Sequence, residues 1–151
     1  MWRVAIVGSV NDDFLNVAKK RLSDRNVYLE KFNVLLPNPD YDAILVFPDT
    51  DLSLNKYSCR ILIIPDVLIT DEAIIKNASA LCVISYGLSP KNTVTLSSTN
   101  DHRNVVALQR DIISLDNSLI LRQEFTLDCD LSHYETTALA SLMAISGVLE
   151  Q

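Results

Sequence analysis

The sequence predicts an α/β fold: a mainly parallel, Rossmann-like three-layer sheet with a C-terminal antiparallel meander and a buried final helix. Three apolar runs without polar alternation, residues 43–47, 61–64 and 81–85, indicate strands that are buried on both faces of a parallel sheet. From residue 93 onward, apolar and polar residues alternate, which is typical of antiparallel strands with one solvated face. With 151 residues and 48% hydrophobic content, the chain is long enough to form a single domain, 1–151, with its own core.

The first half of the chain predicts alternating strands and helices. Residues 3–7 and 27–32 form two strands, and Asn11 caps the helix between them, with acids in its first turn and bases in its last turn. Pro48 and Pro65 follow the next two apolar runs, and each run ends there because proline cannot donate to a strand ladder. Residues 37–40 predict a rigid loop, residues 51–57 are too short for a full crossover helix, and Thr70 caps a short helix.

The second half predicts the meander and the final helix. Its alternating stretches are residues 93–98, 105–110 and 119–127, with turn residues at 100–101 and 116–117 between them. Ser132 and Glu135 have the spacing of a capping box that opens a helix, and apolar residues surround most of that helix. We therefore expect four or five mainly parallel strands, an antiparallel extension and a largely buried last helix.

Charge and composition exclude several classes of partner. Nineteen acids against 13 bases give a net charge of −6 without any cluster of lysine and arginine, so we expect no nucleic-acid partner. The longest apolar runs are about half of what a bilayer requires, and the chain begins directly with a strand, which predicts a cytoplasmic protein without a membrane segment.

The three cysteines indicate reduced thiols. Cys59 and Cys82 lie in or beside predicted strands, and the acids on both sides of Cys129 disfavour a thiolate there. No two cysteines have metal-binding spacing and both histidines are isolated, so we expect no metal site and no cofactor.

Candidate site residues lie just after the predicted strands, because ligands of open α/β sheets bind beyond the carboxyl ends of the strands. They are Gly8, Ser9, Asp49, Asp66, Tyr86 and Gly87. Gly8 and Ser9 occupy the place of a phosphate-binding loop, but no further glycines follow, and two aspartates at the start of the next helix would repel an anion. We therefore expect neither ATP nor NAD to bind there.

The strand-end acids allow two interpretations. Asp49, Asp51 and Asp66 could converge to bind magnesium, or they could serve as turn and capping residues, which we favour. Gly87 predicts a chain reversal with a positive φ, and Tyr86 would have to face the cleft to act on a ligand.

The serines and histidines do not indicate a hydrolase. No nucleophile-elbow spacing surrounds Ser9 or Ser85, and nothing in the sequence places a base beside either one. We read His102 as a loop residue and His133 as the neighbour of a helix cap.

The second half also resembles a known family. The segment 82–89, CVISYGLS, is similar to the "v-TYG-s" segment late in the central ATPase domain of Mur-type peptide ligases. Residues 132–141 are similar to the "hNvyNalaAia" helix of that domain, so that the resemblance covers residues 82–147. It implies the architecture of that domain without its ATP-driven chemistry, because the family's GTxGKT loop is absent and Glu135 or Thr137 stands where the family has an Asn that helps to hold nucleotide.

Taken together, these patterns indicate a non-catalytic α/β protein that binds a small ligand or a protein partner. Two alternatives stay open: a magnesium-dependent enzyme that uses Asp49 and Asp66, and a degenerate Mur-ligase-like domain. The edges that the meander leaves can pair with a second copy of the chain, which predicts a homodimer.

Overall fold

The computed structural model describes residues 1–33, 41–50, 57–69, 78–100 and 103–149. In these ranges the helices are α1 (Asp12–Arg21) and α2 (His133–Ile145). The first strands are β1 (Trp2–Val7), β2 (Val27–Phe32), β3 (Ala43–Val46), β4 (Tyr57–Pro65) and β5 (Ala78–Gly87). The later strands are β6 (Val94–Asn100), β7 (Arg103–Leu108), β8 (Ile112–Ile113), β9 (Leu119–Ile120) and β10 (Gln123–Asp128). Neither of the two described helices has the length and apolarity that a membrane crossing requires.

Eight of these strands form one sheet in the order β10-β7-β6-β5-β4-β3-β1-β2. The pairs from β2 through β1, β3, β4 and β5 to β6 are all parallel, and β7 and β10 continue the sheet antiparallel. Strands β8 and β9 form a separate small hairpin. The predicted fold class, a mainly parallel sheet with an antiparallel C-terminal part and a final helix, is confirmed.

The strand count and one boundary differ from the prediction. The parallel part has six strands rather than four or five, because β6, expected in the meander, pairs parallel with β5 through Tyr86 and Gly87. The predicted strand 119–127 divides into β9 and β10. At the break, the Arg122 amide donates to Asp111 Oδ1 at 2.9 Å, and so leaves the ladder.

The core explains two of the three continuous apolar runs. The third, residues 81–85, is not buried on both faces as expected, because Leu81 and Val83 on one face of β5 are 87% and 45% exposed and burial begins at Ile84. Strands β1, β3 and β4 are buried on both faces, with one face under α1 and α2 and the other in a second cluster that includes Val7, Ile44 and Leu62. On the inner side of α1, Phe14 and Ala18 are buried, as is the C-cap Leu22, and Leu15 is half-buried. A strand buried on both faces has no position for a polar residue, so its sequence does not alternate.

Two of the three predicted helix starts, at Asn11 and Ser132, are confirmed. The Phe14 amide donates to Asn11 Oδ1 at 2.8 Å, and Ser132 and Glu135 form the reciprocal capping box of α2. Every residue of α2 from 136 to 145 is buried. Asn11 Nδ2 also donates to Glu135 Oε2 at 3.1 Å, so the first turns of the two helices are in contact.

Some predicted features lie outside the described residues. They are the loop at 37–40, most of the 51–57 connection, the short helix after Thr70, and turn residue 101.

Candidate functional site

The strand order reverses at β1, which makes the carboxyl ends of β1 and β3 the topological switch point of the sheet. Ser9 follows β1 there, and Asp49 follows β3. The Ser9 amide donates to Oδ1 and Oδ2 of Asp49, each at 3.2 Å. Hydrogen bonds from the Ser9 side chain and amide hold the pKa of Asp49 below its usual value, despite some burial. The protein's own carboxylate therefore occupies the amide that a phosphate-binding loop would offer to an anion.

Gly8 brings these two strand ends close together. Its φ is +125°, and a Cβ at this position would lie 2.5 Å from Thr50 Oγ1 and 2.9 Å from Phe47 Cβ. Thr50 is buried and its hydroxyl donates to the Val7 carbonyl at 2.9 Å. The glycine thus serves close packing between β1 and the turn after β3.

Asp66 is the acid at the end of β4, and it joins three segments of the chain. Its Oδ2 accepts from the Ser89 amide at 3.1 Å and from Asn92 Nδ2 at 3.0 Å, and its Oδ1 accepts from the Tyr134 hydroxyl at 2.5 Å. Burial acts to raise the pKa of Asp66, but these hydrogen bonds and one from the Leu88 amide outweigh it, so the pKa is lowered. Burial and the hydrogen bond to Asp66 raise the pKa of Tyr134 to about 12.

Tyr86 does not face an open cleft. Its side chain is fully buried, its hydroxyl donates to the Val46 carbonyl at 2.6 Å, and its ring meets that of Tyr134 edge-on at a centroid distance of 6.4 Å. Burial raises the pKa of Tyr86 well above its usual value. Tyr86 therefore links β5 to β3 inside the core, beneath the site.

Gly87 has the positive φ that its sequence predicts, +140°. A Cβ at this position would lie 2.5 Å from Asp66 Oδ2. Only glycine therefore allows the chain to leave β5 in this direction with the Asp66 carboxylate beside it.

Residues 88–93, which connect β5 to β6, are held from several sides. The Ser85 amide donates to Thr93 Oγ1 at 3.4 Å and the Thr93 amide donates to Ser85 Oγ at 3.0 Å, which closes the base of the connection. Gln109 Nε2 donates to the carbonyls of Pro90 and Asn92, both at 2.7 Å. Arg110 Nη2 donates to the Lys91 carbonyl at 3.2 Å. These contacts hold the backbone of the connection in place.

The segments around Asp66 enclose a groove of about 580 Å³ at the carboxyl ends of β4 and β5, which we call the strand-end groove. Its lining consists of acidic, basic, polar and apolar side chains: Asp66, Val67, Ile69, Ser85, Ser89, Lys91, Asn92, Arg110 and Tyr134. Of the candidates from the sequence, Asp66 lines this groove directly. Gly87 and Tyr86 support it, whereas Gly8, Ser9 and Asp49 lie at the separate β1–β3 end.

Three residues of the groove were not predicted as site residues from the sequence: Lys91, Arg110 and Tyr134. Tyr134 lies between the two capping-box residues of α2, and this local signal could have pointed to it, because helices of α/β folds begin at the ligand-binding edge of the sheet. Lys91 and Arg110 carry no local signal, since their proximity depends on the pairing of β6 with β7.

A larger groove of about 710 Å³ lies between α1 and the segment that follows β10. It combines Asp13, Asp128 and Asp130 with Lys20 and Arg21. Arg21 Nη2 donates to the Asp128 carbonyl at 2.6 Å, as Arg110 Nη2 does to the Lys91 carbonyl at 3.2 Å, so this contact does not distinguish the two grooves. The strand-end groove is the better candidate because it lies at the sheet edge where α/β proteins bind ligands.

The described residues contain no group of three or more histidine, cysteine or acidic side chains that could hold a metal. Asp49 and Asp66 accept hydrogen bonds from different partners, and a magnesium ion at Asp66 would have to compete with the donors Tyr134 and Asn92. Asp51 and His102 lie outside the described residues, and His133 is the first residue of α2.

Comparisons of the chain with protein-family models, with curated proteins and with solved structures give no match.

Proposed function

We propose that the protein is a non-catalytic binding module that holds a small molecule in the strand-end groove. The observation that carries this proposal is the Asp66 carboxylate, which is hydrogen-bonded by Ser89, Asn92 and Tyr134 from two other segments of the chain. Because groups of the chain itself make these bonds, the wall of the groove needs little ordering on binding, which favours affinity. The groove volume of about 580 Å³ lies in the range that small-molecule sites occupy.

The ionisable groups of the groove support binding over catalysis. A general acid or base works best when its pKa lies near the working pH. Hydrogen bonds lower the pKa of Asp66, whereas burial and the contact with Asp66 raise the pKa of Tyr134 to about 12. Both pKa values are therefore shifted away from neutral pH, in opposite directions. The Asp66–Tyr134 pair is therefore a structural contact, in which the acceptor is charged and the donor is neutral.

A screen with a collection of small-molecule fragments, followed by amide NMR spectra, tests this proposal. We expect binding fragments to shift the amides of Ile69, Ser89 and Asn92. Val67→Trp should block this binding, because Val67 lines the groove with 55% of its surface exposed. The matched control is Val83→Trp on β5, outside the lining, where 45% is exposed. A screen that shifts no groove amide, or binding that Val67→Trp leaves intact, would refute the proposal.

The alternative hypothesis, a magnesium-dependent enzyme, predicts that Asp66 binds a cation. A hard cation held by Asp49 and Asp66 would stabilise the wild type, and this stabilisation would disappear in Asp49→Asn and in Asp66→Asn. We expect no magnesium-dependent rise in Tm, because each carboxylate already has its own donors. Calorimetric magnesium binding that both substitutions abolish would instead favour the enzyme.

We also propose that the chain is a degenerate relative of the central domain of Mur-type ligases. The order of parallel strands, antiparallel β7 and β10 and a final helix supports this proposal, as does the position of Gly87 at the end of β5. The Ser9 amide, which contacts Asp49, offers no free anion cradle. We therefore expect Mg-ATP to leave the Tm unchanged, and a clear rise would contradict the degenerate state.

Homodimer formation is a further proposal, and it concerns the edge of the sheet. Strand β10 pairs only with β7 in the described part of the sheet, so its other edge can accept a strand from a second copy. Light scattering at high protein concentration should give twice the chain mass of 16.9 kDa. A mass that stays at one chain would contradict the proposal.

A further inference from the structure

We infer that the ligand of the strand-end groove is a small organic anion, whose phosphate or carboxylate group contacts Lys91 and Arg110 while its apolar part lies against Val67 and Ile69. This inference rests on the function proposed above, and it adds the chemical class of the ligand.

Two positively charged side chains, Lys91 and Arg110, line the groove. Arg110 Nη2 donates to the backbone carbonyl of Lys91, so the guanidinium and the lysine belong to one wall of the groove. Among the described residues, neither side chain forms an ion pair with a carboxylate. An anion bound in the groove would be attracted by the positive charges of both side chains. Such a pair is notable in a chain whose net charge is −6.

Hydrogen bonds hold the backbone on both sides of Lys91. Gln109 donates to the carbonyls of Pro90 and Asn92, on either side of Lys91, and Asn92 donates to Asp66. The backbone that carries Lys91 is therefore held in place before a ligand arrives. Arginine presents a planar fork of donors that matches carboxylate and phosphate oxygens, while lysine adds a compact point charge.

Asp66 is the one acid among the described residues that line the groove. Its Oδ1 faces the Tyr134 hydroxyl, and its Oδ2 faces Ser89 and Asn92. These neutral donors satisfy the carboxylate oxygens without removing the negative charge, so Asp66 repels an anion placed beside it. The anionic group is therefore expected at the end of the groove formed by the two cations.

The groove also has exposed apolar surface, which an apolar part of the ligand can cover. Val67 and Ile69 follow β4 in the turn 66–69, and 55% and 37% of their surfaces are exposed. Covering apolar surface contributes about 25 cal/mol per Å². An inorganic anion would leave this surface uncovered, so a ligand with both an anionic and an apolar part fits better.

Three probes separate these contributions in NMR titrations of the full chain: phenyl phosphate, inorganic phosphate and neutral benzyl alcohol. We expect phenyl phosphate to shift the amides of Ile69, Lys91 and Arg110, inorganic phosphate to bind more weakly, and benzyl alcohol to bind weakest. The double variant Lys91→Ala/Arg110→Ala should weaken phenyl phosphate binding about tenfold. The control Lys19→Ala/Arg25→Ala removes the same charge from exposed positions in and after α1, and should change the affinity by less than about twofold.

Two results would overturn the inference. If benzyl alcohol binds the groove as tightly as phenyl phosphate, and the Lys91 and Arg110 double variant binds both equally well, the groove takes small molecules but does not select anions. If phenyl phosphate shifts amides elsewhere or none at all, the anion site is absent. The fragment screen separately decides the proposed function, because it includes neutral and cationic molecules.

Discussion

The hydroxyl of Tyr134 donates a 2.5 Å hydrogen bond to Oδ1 of Asp66 and so connects the first turn of α2 to the end of β4. The ring of Tyr134 also lies edge-on against Tyr86, whose own hydroxyl contacts the end of β3. One helix start is thus joined to three neighbouring strand ends. This arrangement shapes the strand-end groove and makes the stability of the fold depend on groove residues.

Tyr134→Phe removes this hydrogen bond while it keeps the ring. We expect the free energy of unfolding to fall by about 1.5–3 kcal/mol, the usual contribution of a hydrogen bond to a charged group. Urea unfolding measures the change. Tyr28→Phe is the control, because Tyr28 is 46% exposed, and it should change the stability by less than about 0.5 kcal/mol. Equal effects of the two substitutions would show that the Asp66 contact contributes nothing.

The lowered pKa of Asp66 predicts an acid-dependent loss of stability. A carboxyl whose pKa is lower in the folded state stabilises the fold above its unfolded pKa, and this contribution is lost as the pH falls through the folded value. Stability should therefore decline below about pH 4, and Asp66→Asn should decline less steeply than the wild type. Unfolding curves at a series of pH values measure both slopes.

The control for this pH dependence is Asp24→Asn, which removes one exposed carboxylate after α1. It tests whether the loss of a charge alone changes the slope, and we expect the wild-type slope. An Asp66→Asn variant with an unchanged acid slope would contradict the prediction.

Gly87→Ala should be strongly destabilising. An alanine at this position would strain the backbone, because φ is positive, and its Cβ would overlap the Asp66 carboxylate, which hydrogen bonds hold in place. Gly147→Ala is the matched control, since its φ is +75° and no atom lies within 4 Å of the added Cβ. Backbone strain alone costs about 1–3 kcal/mol, so the Gly87 variant should lose more than the Gly147 variant in urea unfolding. The reverse order would show that the carboxylate is not fixed.

Cys59 and Cys82 should react slowly with a thiol reagent in the folded protein. Burial raises the pKa of Cys59 to about 12 and also raises that of Cys82, and only the thiolate reacts. Single-cysteine variants should show slow modification in buffer and rapid modification in urea. Modification of Cys59 at the same rate in both conditions would contradict its place in the core.

Features that depend on neighbouring residues could be predicted from the sequence. The caps at Asn11 and Ser132 act over three residues, and the apolar runs of β3 and β4 reflect burial on both faces, which every residue of the run experiences. The positive φ of Gly87 is a local property as well. Such signals are visible without knowledge of the fold.

Features that depend on tertiary contacts could not be predicted. Asp66 and Tyr134 are 68 residues apart, and Lys91 and Arg110 are 19 residues apart, so no pattern within one element joins them. The division of residues 119–127 has a similar cause, because the Asp111 side chain captures the Arg122 amide. Side-chain competition of this kind replaces a ladder bond that alternation alone would predict.

The central claim is that the strand-end groove binds the ligand, and a crystal soaked with phenyl phosphate tests it most directly. The account predicts ligand density with the phosphate between the Lys91 and Arg110 side chains and the ring against Val67 and Ile69, and with the Tyr134–Asp66 contact unchanged. Density in the groove beside α1, or at the Ser9–Asp49 contact with the strand-end groove empty, would contradict it.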